Sequence, residues 1–209
     1  MTDLQYALIR EGTSDDGLIP HISALLLRAG ASAVIGAARQ YKGSTRERLS
    51  QLLAEPKPPA LIFVHRDSDS ADPSSRHQEI AAAASALGCV ERVIPVVPVQ
   101  ELEAWLLTDE GSIRAVVGRP SGRTPMGLPA LRNIETTSSP KEVLQNACLI
   151  ASEKTGVRRK KERGQFNVRR ASLLERIDID GAVTSLASWQ RFVGDLTTAA
   201  VRALENDAT

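Results

Sequence analysis

At 209 residues the chain has room for one domain with a sizeable appendage, and an apolar fraction of 42% is enough to fill a real core. Aromatics make up only 3%, so aliphatic side chains must do most of the packing, and a net charge of +1 singles out no partner class. The opening MTDLQYALIREG does not read as a signal peptide, and no apolar run reaches the roughly 20 residues of a membrane span. A cytoplasmic protein with no membrane partner is therefore expected. Cys89 and Cys148 are isolated, without metal-ligand spacing, and read as buried small apolar residues in a reducing compartment.

LQYALIR (4–10) has strand character and ends at Glu11-Gly12. A helix follows, with Leu18, Ile22, Leu25 and Leu26 on one face, capped by Ser14 or Asp15 and closed by Gly30. ASAVIGA (31–37) reads as a second strand. STRERLSQLLAE is the next helix, where Ser44 and Glu47 have the spacing of a capping box. ALIFVH (60–65) is continuously apolar, as a central parallel strand covered on both faces should be. SSRHQEIAAAASALG forms a helix, and ERVIPVVPV (91–99) is a fourth strand whose prolines indicate an edge position or an irregular course.

This β-α-β-α-β-α-β order predicts a doubly wound α/β fold with a mainly parallel four-stranded sheet flanked by helices. The predicted domains are residues 1–110 for this unit and 111–209 for a mostly helical extension packed against it. QELEAWLLTDEGSIRAVVG opens the second part as a helix with Leu102, Trp105 and Leu106 on one face. Residues 118–140 hold four prolines and three glycines and read as a long loop. SPKEVLQNACLIASEK is an amphipathic helix, and a last helix buries Trp189, Phe192, Val193 and Leu196. Between these two helices, residues 154–176 carry nine Lys/Arg against two Glu.

The stretch HRDSDSAD (65–72) gathers Asp67, Asp69 and Asp72 just after the third strand. Binding sites in such sheets lie at the carboxyl ends of strands, where Glu11 also emerges. The plainest reading is a polar turn, for which Asp and Ser are well suited. A protein-kinase catalytic loop is excluded, because position 72 is Asp where Asn is required and no Gly-rich strand lies upstream. A haloacid-dehalogenase-type phosphohydrolase, with Asp67 attacking phosphorus, is a second chemical reading, although its motif normally follows the first strand of its domain and position 71 is Ala rather than Thr or Val. A further reading is a divalent-cation site. Carboxylates two residues apart at a strand end can converge on Mg²⁺, and a Glu from a neighbouring strand end completes the set.

A strand ending in Glu-Gly and a later strand ending in Asp-x-Asp resemble the TOPRIM signature. REGTSDDGLIPHISALL, LIFVHRDSDSAD, VVPVQELEAWLLTD and ASWQRFVGDL together resemble a bacterial TOPRIM-like family of unknown function, related to nucleases of the overcoming-lysogenization-defect type. The resemblance covers residues 4–110 and a short stretch near Trp189–Leu196. It implies a TOPRIM-like sheet with catalytic Glu11, Asp67, Asp69 and Glu103. Of these, Glu11, Asp67 and Asp69 would hold Mg²⁺ or Mn²⁺ for phosphodiester hydrolysis, in the setting of bacterial anti-phage defence.

Nucleic acid is the expected partner, with a partner ATPase and a second copy of the chain as further candidates. Arg39 and Lys42 follow the second strand and are candidates for phosphate binding. Arg158, Arg159, Lys160, Lys161, Arg163, Arg169 and Arg170 form the strongest candidate nucleic-acid surface, with Phe166 available for stacking. A non-catalytic effector or sensor subunit, binding an ATPase or nucleic acid through residues 110–209, is the alternative.

Overall fold

The computed structural model describes residues 3–207. Four strands, β1 (Leu4–Ile9), β2 (Val34–Arg39), β3 (Leu61–His65) and β4 (Val93–Val96), form an all-parallel sheet in the order β2-β1-β3-β4. The α/β architecture read from the sequence is thus present, with β4 at an edge. β4 is shorter than the predicted strand: residues 90–92 form a 3-10 turn, and the chain leaves the sheet after Val96.

Alternate side chains of each strand face opposite layers. Leu4, Tyr6, Leu8, Leu61, Phe63, Ile94 and Val96 belong to one buried cluster, with helices α1 (Leu18–Arg28) and, near the C-terminus, α9 (Ala187–Asp207). Ala7, Ile9, Ile62 and Val64 belong to a second cluster, with Leu49 and Leu52 of α2 (Thr45–Leu53) and Ile80 and Ala83 of α3 (Ser74–Ala86). Ser44 and Glu47 form the predicted capping box at the start of α2.

β1 and β2 approach closely where Tyr6 pairs with Gly36. The Tyr6 ring lies over the glycine, and its hydroxyl donates to the Ile19 carbonyl at 2.8 Å. A Cβ at position 36 would sit 2.1 Å from Tyr6 Cζ, so only glycine fits.

The first predicted helix of the extension is two short ones, α4 (Glu103–Leu106) and α5 (Glu110–Val116). The long loop contains a 3-10 turn over Leu131–Thr136, and α6 (Pro140–Ala151) follows it. The basic segment folds into α7 (Gly156–Gly164) and α8 (Phe166–Leu174). Residues of α4, α5, α6 and α8 share the first core cluster with the sheet, whereas α7 contributes none to it. Five of the seven aromatic residues tie that core together: Tyr6, Phe63, Phe192, Trp105 and Trp189 form an edge-to-face and stacked chain with centroids 4.9–6.3 Å apart. Trp105 Nε1–H also donates to Ser188 Oγ at 2.9 Å, which fixes α4 and so the direction of Glu103. Both cysteines are buried. Among the described residues no helix is long and apolar enough to cross a membrane.

Candidate functional site

In the order β2-β1-β3-β4 the chain switches direction between β1 and β3, and the crevice at their carboxyl ends is where such sheets bind ligands. A groove of about 820 Å³ opens there, lined by Glu11, Asp15, His65, Asp67, Glu103 and Arg170 among others. Three loops and α8 bring these residues together.

The β1–α1 loop turns sharply after Glu11. Asp15 closes a 3-10 turn by accepting the Gly12 N–H at 3.1 Å, but it does more than cap: it is 3% exposed and meets two cations. The loop is pinned to α8. A Cβ on Gly17 would meet Leu174 Cγ at 2.9 Å, and His21 Nε2 lies 2.6 Å from the Leu174 carbonyl.

After β3, the chain passes Asp69 at φ +52°, and after β4 it passes Gln100 at φ +61°. Left-handed backbone is uncommon away from glycine, and here the two residues brace one another. Asp69 N–H donates to the Gln100 carbonyl at 2.9 Å, and Gln100 N–H donates to the Ser70 carbonyl at 3.1 Å and to Ser68 Oγ at 2.7 Å. This clasp holds the two loops at a fixed distance.

The floor of the groove is a chain of alternating charges. Glu103 Oε1 accepts from Arg170 Nε at 2.7 Å, and Arg170 Nη2 reaches Asp15 Oδ1 at 3.3 Å. His65 Nδ1 lies 3.1 Å from Asp15 Oδ2, and His65 Nε2 lies 3.5 Å from Asp67 Oδ1, without hydrogen-bond geometry. Burial disfavours the charged forms of His65, Asp15 and Arg170, yet their partners prevail. Burial pulls the His65 imidazole down, but Asp15 and then Asp67 push it up to about 9, so it is an imidazolium at neutral pH. Burial raises the Asp15 carboxyl, but the bond to His65 and the nearby Arg170 hold it well below the usual carboxylate range. Burial likewise opposes the Arg170 charge, and Glu103 more than restores it. Asp67 Oδ1 also accepts the Leu102 N–H at 2.9 Å, and its Oδ2 has no hydrogen bond among the described residues.

The acids named from sequence thus have unequal fates. Glu11 and Asp67 both line the groove. Glu103 lines it too, but its carboxylate is committed to Arg170. Asp69 is not part of the lining; it is exposed and paired with Arg76 Nη2 at 3.1 Å. Glu101 accepts the Lys141 N–H at the start of α6, at 3.1 Å, and burial pushes its carboxyl up.

Two arginines and a glutamate escaped the sequence reading. Arg66 Nε donates to Glu11 Oε1 at 2.6 Å, and its Nη1 donates to Glu79 Oε1 at 2.9 Å and Thr45 Oγ1 at 2.8 Å. Arg76 donates to the other oxygen of Glu79 at 2.6 Å and to the Asp67 carbonyl at 3.1 Å. The i, i+3 spacing of Arg76 and Glu79 on α3 was the available local signal.

The basic residues divide in two. Arg158, Lys160, Lys161 and Arg163 are exposed on α7, and Lys42 is exposed after β2. Arg159 is half-buried, with its Nη1 on the Leu149 carbonyl at 3.4 Å. Arg39 is paired with Glu55 at 3.0 Å. Arg169 is paired with Glu162, itself 3% exposed, and Arg170 belongs to the floor of the groove. Phe166 is not a stacking platform: at 6% exposure it is part of the core.

Among the described residues no three His, Cys, Asp or Glu side chains are gathered into a ready metal shell. A hard cation such as Mg²⁺ needs less than that. It keeps several waters and takes one or two carboxylates plus substrate phosphate. Glu11 and Asp67 are the acids of the open groove that could supply such oxygens to a Mg²⁺ or Mn²⁺ ion, with water and ligand completing its shell.

Comparison with curated proteins and with solved structures gave no match. A family model does match: residues 11–197, from the site glutamate Glu11 into the last helix, fit "Domain of unknown function (DUF4276)". The chain belongs to the DUF4276 family.

Proposed function

We propose that this protein is a metal-dependent phosphodiesterase of the TOPRIM type that hydrolyses nucleic acid. The observation that carries the reading is the meeting of Glu11 and Asp67 on one groove at the β1/β3 switch point, from positions 56 residues apart in sequence. Glu11 and Asp67 are the residues that would hold the cation, which when bound supplies Lewis-acid polarisation of a phosphoryl oxygen.

The surrounding chain prepares those two acids. His65 and the Leu102 N–H both face Asp67 Oδ1, which orients the carboxylate and leaves Oδ2 for a ligand. Arg170 and His65 balance the buried charges of Asp15 and Glu103, which leaves Asp67 and the Arg66-paired Glu11 as the acids presented at the groove surface. Glu103 acts here as the anchor of Arg170, and Asp69 as a member of the loop clasp.

Calorimetric titration of Mn²⁺ into wild type, Asp67→Asn and Glu11→Gln tests the centre, with cleavage of single- and double-stranded DNA and RNA in Mn²⁺ as the activity readout. Binding and cleavage in wild type, both lost in the variants while the fold persists by circular dichroism, are expected. Undiminished cleavage by the double variant would sink the proposal. The commitment of Glu103 to Arg170 favours a second reading, a non-catalytic subunit in which the buried network is structural. It predicts biological activity that survives both substitutions.

A further inference from the structure

Arg66 and Arg76 stand beside the proposed cation ligands in an arrangement that isolated surface ion pairs do not have. Glu79 holds one guanidinium on each of its carboxylate oxygens, at 2.9 and 2.6 Å. Thr45 Oγ1, on a residue that is 1% exposed, accepts from Arg66 and donates to Glu79. The brace therefore fixes both arginines without help from the site acids. Each then turns a remaining arm outward: Arg66 Nε to Glu11, and Arg76 Nη2 to Asp69. Both arginine side chains are mostly covered, at 17% and 21% exposure.

Two guanidinium groups sharing one anchoring carboxylate leave one positive charge over, which Glu11 and Asp69 together more than offset in the absence of a ligand. The planar fork of arginine matches the oxygens of a phosphate as well as those of a carboxylate. A divalent cation that draws on Glu11 frees the Arg66 donor, and the phosphate itself displaces the exposed Asp69 from Arg76; neither guanidinium moves, because Glu79 still holds their other arms.

We propose that Arg66 and Arg76, braced by Glu79, form the phosphate-binding element of this site, exchanging Glu11 and Asp69 for a backbone phosphate of nucleic acid when the cation binds. The proposal rests on the metal-centre reading above and names the groups that receive its substrate. Glu79 is a positioning residue: it touches no phosphate and acts by holding both arginines.

The test measures two affinities on the full-length protein. Mn²⁺ binding is followed by calorimetry, and binding of a fluorescein-labelled 12-mer oligonucleotide by anisotropy in Ca²⁺ and in EDTA. Arg76→Gln, and Arg66→Lys, which keeps the charge but loses the fork, should each weaken oligonucleotide binding by about tenfold or more. Mn²⁺ binding should stay level or tighten, since a competitor for the acids has gone.

Glu79→Gln separates bracing from bulk charge. Removing a negative charge should tighten oligonucleotide binding if only net charge matters, and weaken it if the brace positions the arginines. Circular dichroism and melting establish that each variant is folded. Unchanged oligonucleotide affinity in folded Arg76→Gln and Arg66→Lys overturns the proposal. So does binding of inorganic phosphate without the oligonucleotide, because the occupant named is a backbone phosphate. Failure of the wild type to bind Mn²⁺ overturns the metal-centre reading instead, and the titration in EDTA then decides on the arginines alone.

Discussion

Replacing Arg170 by Met tests whether the floor of the groove is a closed electrostatic unit. Arg170 is the only partner of the Glu103 carboxylate among the described residues, and the side chains of Arg170, Glu103 and Asp15 are 9%, 3% and 4% exposed. Met keeps most of the aliphatic stem but removes the bonds to Glu103, Asp15 and the Ser14 carbonyl. Asp15 retains His65 and the Gly12 N–H, so the cost falls mainly on Glu103. Breaking a buried ion pair from one side costs about 3–5 kcal/mol. With a urea m-value of about 2–3 kcal/mol/M, the unfolding midpoint should fall by about 1–2.5 M. Removing both sides, as in Arg170→Met/Glu103→Leu, abolishes the uncompensated charge and should recover about 2 kcal/mol of that loss as coupling in a double-mutant cycle. Urea unfolding followed by circular dichroism reads both quantities. An Arg170→Met midpoint indistinguishable from wild type, or strictly additive substitutions, would refute the closed network.

Gly36→Ala places a Cβ 2.1 Å from Tyr6 Cζ and should force the ring off Ile19 and Ser23, costing about 3 kcal/mol from overpacking and lost hydrogen bonds. A melting temperature within measurement error of wild type would show that β1 and β2 can part without cost. Burial, with Arg191 nearby, pushes the His77 imidazole down to about 4, so the folded state refuses a proton that the unfolded chain accepts near its usual 6.5. Stability should therefore fall as pH drops through the window from about 6.5 to 4, by up to about 3 kcal/mol from this group, and level off below it. Thermal melts of His77→Gln should show a shallower acid decline than wild type, and parallel pH profiles would contradict the assignment. Reversing Lys160, Lys161 and Arg163 to Glu on the exposed face of α7 should leave the melting temperature nearly unchanged. If α7 meets the backbone phosphates, the same substitution flattens the salt dependence of oligonucleotide binding by about two to three units of slope. An unaltered slope places the nucleic-acid path elsewhere.

The sheet was legible because its determinants are local. A continuously apolar run at 61–64 requires cover on both faces, and the Ser44–Glu47 spacing closes on itself within one turn. Glu11 and Asp67 were legible for a topological reason: in a parallel sheet every strand delivers its last residues to the same edge. Asp69 was not. Whether the second acid of an Asp-x-Asp pair faces the groove depends on the left-handed turn at residue 69, and that turn exists because Gln100, 31 residues later, bonds to it.

Arg170 is the sharper case. In a run rich in Lys and Arg it reads as one more cation for nucleic acid, yet Phe166, Arg170, Leu173 and Leu174 share the i, i+4, i+7, i+8 stripe of a buried helix face. A cation in the middle of an apolar stripe is a statement that a buried acid waits opposite, since an unpaired buried charge is too costly to keep. The stripe was therefore a readable signal of burial. Its partner was not readable, because 25 acidic residues compete for the role and the two that hold it are 67 and 155 residues away. The packing of Leu174 onto Gly17 and the His21 contact with the Leu174 carbonyl set α8 against the β1–α1 loop and so bring Arg170 to Asp15. The extension is thus part of the site's construction, and a truncation at residue 110 would leave Asp15 and Glu103 without the cation that neutralises them.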